Sequence, residues 1–246
     1  MIPVSPELVV FLIGTFAAAF VTGLAGFAFG MIAAGIWLHA LAPVQTTTLI
    51  VAYGLLVQGY AVWKLRRSIN LRRLLPFVVG SAVGIPGAIA VLEWVPVAYL
   101  RRGIGVLLIL FGLYNLMRPK LPDMKNAGAI ADGGVGILNG VLGGSTGLAG
   151  VLPMMWSGLR GWTRDEQRAV FQPTGVATFL MSILVFGGVG FVTPDTIKLF
   201  LIGLPVLIVG TLLGWACYGK LNEASFRKIV LSLLLVSGIM LLTTGR

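Results

Sequence analysis

Residues 141–150 read VLGGSTGLAG and interrupt an apolar run that extends from about residue 127 to about residue 160. This run is too long for one transmembrane helix, which needs about 20 residues. Glycine permits a sharp change of backbone direction because it lacks a β-carbon. The stretch therefore predicts a hairpin of two helical arms that is broken at residues 143–147, GGSTG.

The composition of the chain is that of a polytopic membrane protein. Of its 246 residues, 57% are hydrophobic and 11% are charged, whereas about 25% of the residues in soluble domains are charged. The net charge of +10 comes from basic residues that lie between the apolar runs. This placement indicates cytoplasmic loops rather than a nucleic-acid surface. The single cysteine, Cys217, excludes an internal disulfide and a thiolate metal cluster.

A second broken run lies at residues 7–42, where TGLAG at residues 22–26 separates two predicted arms, at about 7–21 and 26–41. Three predicted membrane spans follow each broken hairpin. We expect the whole chain, residues 1–246, to form one transmembrane domain. The spans lie at about 44–63, 74–92 and 100–117 in the first half and at about 168–187, 196–217 and 227–244 in the second.

The two halves share a pattern of glycines, and their basic loops indicate opposite orientations in the membrane. The loop KLRRSINLRR at residues 64–73 has five basic residues and no acid, which predicts a cytoplasmic position. Because each half makes an odd number of crossings, we predict two inverted repeats, a recurrent design of secondary transporters. The repeats cover residues 7–117 and 127–244, a cytoplasmic linker covers 118–126, and both termini lie on the outer side. The glycines at 23, 26 and 30 match those at 140, 143 and 147.

The glycine motifs resemble those of the TauE/SafE family of sulfite-exporter-like and organosulfonate-permease-like membrane proteins. The resemblance covers essentially the full chain and implies an inner-membrane secondary transporter that exports small anions such as sulfite or organosulfonates. The chain departs from the family's more usual glycine-rich first motif at Phe27 and Phe29, which leaves its substrate preference open. The motifs are GLAGFAFG at 23–30, GGSTGLAGVLP at 143–153 and QPTG at 172–175.

Ser145 lies in a G-x-S-x-G pattern, which also presents the nucleophile of many hydrolases. Such a serine requires a base, and the only histidine of the chain is His39, in the other half. No strand pattern precedes Ser145, and the matching break of the first half contains no serine. We therefore expect no catalytic residue and no enzymatic activity.

The same breaks suit anion binding. Helices that begin after them, near Phe27 and Gly147, would expose free N–H groups and positive dipole ends, which bind anions without a fixed cation. Alternatively, the glycines serve only helix packing and the glutamines only interhelical hydrogen bonds; both alternatives stay open. The expected substrate-binding residues are Gly23, Gly26, Phe27, Gly30, Gln58, Gly143, Gly144, Ser145, Thr146, Gly147, Gln172 and Thr174.

Three further polar residues have two interpretations each. Asp132 carries a coupling proton or ion, or it is a first-turn acid that stabilises a helix N-terminus. His39 is a titrating gate or a residue of the outer interface. Asn139, just before the second break, is a weaker candidate for a substrate contact or an interhelical hydrogen bond.

The expected partners are a small anion and the lipid bilayer, and not nucleic acid. A coupling proton or sodium ion and a homodimer are further candidates. No metal site and no cofactor are expected, and the sequence contains no P-loop through which ATP would drive transport directly. A passive anion channel is the alternative function.

Overall fold

The computed structural model describes residues 6–25, 28–117, 124–217 and 223–243, and every regular element in these ranges is an α-helix. This finding confirms the predicted all-α class. The ten helices of the described ranges are α1 (Pro6–Ala25), α2 (Phe29–Trp37), α3 (Pro43–Leu65), α4 (Leu71–Trp94), α5 (Val97–Met117), α6 (Ala129–Thr146), α7 (Val151–Leu159), α8 (Arg164–Gly188), α9 (Pro194–Cys217) and α10 (Glu223–Thr243).

Five of these helices, α1, α4, α5, α8 and α9, are long and apolar enough to cross a membrane. Large apolar side chains are exposed along them, including Val79, Leu110, Leu184 and Leu201, each more than half exposed. Such a continuous apolar surface favours aggregation in water, whereas acyl chains solvate it in a bilayer. The chain is therefore a multi-pass membrane protein, as predicted.

The helices of the two halves have corresponding lengths. The first five contain 20, 9, 23, 24 and 21 residues, and the last five contain 18, 9, 25, 24 and 21 residues. Each half is thus a long helix, a nine-residue helix and three further long helices. This correspondence supports the predicted repeat, while its boundaries and its inverted orientation stay predictions.

The two arms of each hairpin are unequal. The helices α1 and α6 have 20 and 18 residues, whereas α2 and α7 have nine residues each. A nine-residue helix is roughly 14 Å long, less than half of the hydrocarbon core, which is about 30 Å thick. Each hairpin therefore combines a full-length arm with an arm that is too short to cross the membrane as a helix.

The second break lies further along the chain than predicted. Residues 143–146, GGST, form the last turn of α6, and the break comprises residues 147–150, GLAG. The short helix therefore begins at Val151 and not near Gly147. The prediction was wrong because a glycine-rich turn stays helical where neighbouring groups pack closely against it.

The first break is displaced in the same direction. Helix α1 continues through Ala25, so residues 22–25 are helical, and α2 begins at Phe29 rather than near Phe27. Ala28 precedes α2 with left-handed backbone, at φ 83°. Gly26 and Phe27, both predicted to bind substrate, lie outside the described residues.

The helices cluster in two compact units, and each unit contains helices from both halves. Unit 1 consists of α1, α2, the start of α3, α5, α9 and α10. Unit 2 consists of the rest of α3, α4, α6, α7 and α8. Neither unit coincides with one half of the sequence.

In unit 1, α1 packs against α9 through small residues. A β-carbon at Gly23 would lie 2.5 Å from the carbonyl oxygen of Thr211 and 3.0 Å from Cα of Gly214. A β-carbon at Gly210 would lie 2.9 Å from Cβ of Ala19. Lipid gives no hydrophobic driving force for helix association, so close backbone contact of this kind supplies much of the attraction between the helices.

In unit 2, α4 packs against α6 in the same manner. A β-carbon at Gly136 would lie 2.6 Å from the carbonyl oxygen of Phe77, and one at Gly80 would lie 2.8 Å from the amide nitrogen of Ile137. Four glycines thus let the two backbones touch along several helical turns. They are Gly80 and Gly84 in α4 and Gly136 and Gly140 in α6.

Replacement Gly136→Ala should destabilise unit 2, because its methyl group would overlap the backbone of α4. Overpacking of this kind costs about 1–3 kcal/mol, so the thermal midpoint of the detergent-purified protein should fall by several degrees. The matched control is Gly134→Ala in the same helix, where nothing lies within 4 Å of the added carbon. There alanine should be neutral or stabilising, since it favours helix over glycine. Equal midpoints for the two variants would contradict the close α4–α6 packing.

Candidate functional site

The break between α6 and α7 is set by two glycines with left-handed backbone. Gly147 has φ 75° and Gly150 has φ 88°, a region that residues with a β-carbon rarely adopt. Gly147 ends α6 and donates its N–H to the carbonyl oxygen of Gly143 at 2.9 Å. Gly150 caps α7, and its carbonyl oxygen accepts from the N–H of Met154 at 2.9 Å. The chain thus leaves one helix and enters the next within four residues.

Asn139 holds this loop in place from within α6. Its side chain is fully buried, and its Oδ1 accepts a hydrogen bond from the N–H of Gly150 at 2.8 Å. Its Nδ2 donates to Ser81 Oγ in α4 and to Thr178 Oγ1 in α8, at 3.1 Å each. One side chain therefore joins α6, α4 and α8 to the residue that caps α7.

The backbone amides of the break divide into two sets. Those of Gly147 and Gly150 are bound as described, and that of Leu148 donates to Thr146 Oγ1 at 3.2 Å. Orphan N–H groups at the start of a helix, together with the positive end of its dipole, attract anions. Among the described residues, no acceptor meets the amides at positions 149, 151 and 152.

Helix α8 brings Gln58 and the loop together. A β-carbon at Gly150 would lie 3.0 Å from the carbonyl oxygen of Phe171. One at Gly175 would lie 3.0 Å from Gln58 Oε1 and 3.4 Å from the carbonyl oxygen of Ala149. The absence of a side chain at Gly175 is therefore what allows the amide of Gln58 to approach the break.

Gln172 lies on the same stretch of α8 and is not satisfied. Its side chain is 8% exposed, and its Oε1 has no hydrogen-bond partner among the described residues. A buried polar group without a partner costs about 1–3 kcal/mol, so native structures seldom retain one without a role. The two polar atoms of a glutamine side chain exchange places when the amide flips, so that either an acceptor or a donor is available to a ligand.

The chain matches one protein family over nearly its whole length. A family model described as sulfite exporter TauE/SafE matches residues 10–241, nearly the whole chain. The chain belongs to the TauE/SafE family. It matches no curated protein and no solved structure. Membership confirms the resemblance seen in the motifs and implies a membrane transporter of the sulfite or anion exporter type.

In this TauE/SafE family member, the hydroxyl groups predicted to bind substrate are engaged within their own helices. Ser145, Thr146 and Thr174 each donate to the carbonyl oxygen four residues earlier, at 2.7, 2.6 and 2.8 Å. Such bonds are common for serine and threonine in helices. In this conformation the three hydroxyl groups therefore donate to the backbone of their own helices.

Gly143 and Gly144, both predicted to line the site, have packing roles. A β-carbon at Gly143 would lie 2.7 Å from Cβ of Ala149, and one at Gly144 would lie 2.6 Å from Cβ of Ala88. In the first half, Gly23 packs against α9, and Gly30 lies in the first turn of α2. Of the predicted residues, those that the structure brings to the second break are Gln58, Gly143, Ser145, Thr146 and Gly147, and Gln172 lies on the stretch of α8 that packs against it.

Asp132 lies in the first turn of α6 and is buried. Its Oδ1 accepts from the indole N–H of Trp156 at 2.7 Å, and its Oδ2 lies 3.7 Å from Nη2 of Arg160. Both partners are at the end of α7 that is remote from the break. Asp132 therefore joins the base of the hairpin, which favours the interpretation as a structural acid over that as an ion carrier.

His39 follows the end of α2. Desolvation by the surrounding protein and the positive charge of Arg101 lower the pKa of its imidazole. A histidine with a lowered pKa is neutral at physiological pH. This weakens the interpretation of His39 as a gate that titrates near neutrality.

Sequence reasoning undervalued Asn139 and did not single out Ser81, Thr178 or Gly175. Two signals were present. Each of the first three is a polar residue inside a long apolar segment, where a hydrogen-bond partner is required. In addition, the tetrapeptide GLAG occurs at residues 23–26 and again at 147–150, and the second copy is the break itself.

Replacement Asn139→Leu should lower the stability of the protein by about 3 kcal/mol, because it leaves the buried N–H of Gly150 without an acceptor and removes the donor to two hydroxyl groups. The expected fall in the thermal midpoint is larger than for Ser81→Ala, which removes one of the three bonds of Asn139 and the bond from Ser81 Oγ to the carbonyl oxygen of Gly136. Thermal unfolding in detergent measures both. A midpoint for Asn139→Leu equal to that of Ser81→Ala would show that the network has no such central residue.

Proposed function

We propose that the chain is a secondary transporter that exports a small anion, sulfite or an organosulfonate, across the cell inner membrane. Transport would proceed by alternating access around the two helix breaks, in two inverted repeats with both termini on the outer side. The supporting observation is the second break, where the first amides of α7 have no acceptor among the described residues. Gly175 of α8 lies there next to Gln58 of α3 and to the carbonyl oxygen of Ala149, and α8 also carries the unsatisfied Gln172.

The charge of the site suits an anion that is released again. The break carries the positive end of the α7 dipole and neutral amides but no fixed cation, since the residues from 143 to 153 are uncharged. A helix end and a few neutral donors bind an oxyanion with less affinity than a salt bridge. Moderate affinity favours release on the far side of the membrane.

The energy for export would come from the membrane potential acting on the anion or from a coupled proton or sodium ion. At a potential of 100 mV, negative inside, movement of one negative charge outward releases about 2.3 kcal/mol. Potential-driven export of a monovalent anion therefore needs no additional ion site. The described residues include no group of three or more acidic, histidine or cysteine side chains that could hold a metal ion.

Two other functions have weaker support. A passive anion channel would use the same break, but would conduct continuously instead of saturating. An intramembrane hydrolase would need Ser145 as a nucleophile, whereas its Oγ donates to the carbonyl oxygen of Val141 at 2.7 Å. Family membership also argues for a transporter rather than an enzyme.

Replacement Gln172→Leu should reduce anion flux about tenfold, the effect of losing one hydrogen bond of about 1.4 kcal/mol to the substrate. The larger change Gly143→Leu should abolish flux, because the side chain would displace Ala149 from the break. Counterflow of labelled sulfite and of a labelled organosulfonate in proteoliposomes measures both.

The matched control is Ser145→Ala, which removes a hydroxyl that is already bonded to its own helix and should change flux no more than twofold. Loss of a hydrolytic activity in that variant, while the fold and anion binding survive, would favour the enzyme. Conductance without saturation or counterflow would favour the channel. Unchanged counterflow in both Gln172→Leu and Gly143→Leu would remove the second break from the site.

A further inference from the structure

A second polar cluster lies in unit 2, where the end of α7 meets the start of α6. Its central residues are Asp132, Trp156, Arg160 and Trp162. The transport site proposed above uses none of them. The question is why a buried arginine lies there.

Arg160 is a cation with unfilled hydrogen-bond capacity. It caps the C-terminus of α7, and its side chain is 13% exposed. Its Nε and Nη1 are enclosed and have no hydrogen-bond partner among the described residues. Because a guanidinium stays protonated in proteins, the structure contains a largely desolvated charge whose donors lack acceptors. Such groups ordinarily meet an anion or ordered water.

Asp132 only partly compensates this charge. Its Oδ2 lies 3.7 Å from Nη2 of Arg160, beyond hydrogen-bond length. Its Oδ1 is occupied by the indole N–H of Trp156 at 2.7 Å. The carboxylate is therefore held by the tryptophan at a distance from the guanidinium, where it attracts Arg160 without satisfying its donors.

Two further basic side chains lie close to Arg160. Two guanidinium groups lie over the ring of Trp162, that of Arg160 at 5.5 Å and that of Arg73 at 5.0 Å from its centroid. Arg73 is neutralised by Glu166 at 2.7 Å. Lys125 adds a further cation, since its Cε would lie 2.8 Å from a β-carbon at Gly161, the residue after Arg160.

We propose that Arg160 binds a small oxyanion at the junction of α7 and α8, at a site separate from the break, and that Asp132 competes with this anion for the guanidinium. An oxyanion offers the charged acceptors that guanidinium N–H groups favour. The flexible side chain of Lys125 would adjust as the anion enters. The shared chemistry is an oxyanion of sulfur or phosphorus, either free in solution or on a lipid headgroup.

The test is a double-mutant cycle of anion binding. The purified protein in a neutral maltoside detergent is titrated with sodium sulfate and with sodium phosphate, and the rise of the thermal midpoint reports affinity. Arg160→Gln should weaken binding at least tenfold. Asp132→Asn removes the competing charge but keeps an acceptor for Trp156, and should strengthen binding several-fold. The double variant should bind as weakly as Arg160→Gln.

A purely structural ion pair gives different results. It predicts that Asp132→Asn lowers stability without strengthening anion binding, and that outcome would overturn the proposal even if Arg160→Gln does not fold. Arg72→Gln, an exposed arginine at the start of α4, should bind as wild type does. Binding by Arg160→Gln equal to wild type would also overturn the site.

Two further experiments distinguish a lipid oxyanion from a free one, and the site at Arg160 from the site at the break. In vesicles of phosphatidylcholine with added phosphatidylglycerol, a lipid phosphate bound at Arg160 would compete with sulfate. If Arg160→Gln abolishes this competition, the result supports the site with a lipid headgroup as its ligand. Sulfate binding that is insensitive to the lipid supports a free anion. Gln172→Leu, which tests the transport site, should leave this binding unchanged, and its loss there would show that the two sites are one.

Discussion

The hydrogen bonds of Asn139 are the constraint on which the architecture of unit 2 depends. A chain in lipid can leave the helical conformation only where other groups satisfy its backbone. At the second break, Oδ1 of Asn139 supplies the acceptor for the N–H of Gly150. Its Nδ2 draws α4 and α8 to the same point, and the glycines of α4 and α6 allow the helices to come that close. The close packing of these helices and the hydrogen bonds of Asn139 therefore depend on each other.

The second hairpin is fastened at two levels, at the break by Asn139 and at its base by the bond between Trp156 and Asp132. In unit 1 an indole also joins the short arm to the long one, since Trp37 donates to the carbonyl oxygen of Phe11 at 3.0 Å. A short helix held at both ends presents its first amides in a fixed direction. Binding of the proposed anion there would cost little reorganisation, which is the usual advantage of a preorganised site.

The sequence was sufficient for the helices and insufficient for the breaks. Long apolar runs with basic connectors predict the ten segments because lipid allows few alternatives to helix. Glycine density does not separate a break from a packing surface, so the pattern predicts a break at residues 143–146, which are helical. Gln172 is buried, as is usual for a polar residue in an apolar span. The partners of Asn139 lie 58 and 39 residues away, and no local pattern contains that information.

The pairing of α1 with α9 and of α4 with α6 has a consequence for the order of events in biogenesis. Each close pair joins a helix of the first half to one of the second. The glycine surface of α1 precedes α9 in the chain, and it lacks this packing partner until α9 has been synthesised. Neither unit can be completed from the N-terminal half alone, so a nascent chain released early would expose backbone to lipid and to neighbouring chains. Close packing within each unit therefore requires helices of the second half.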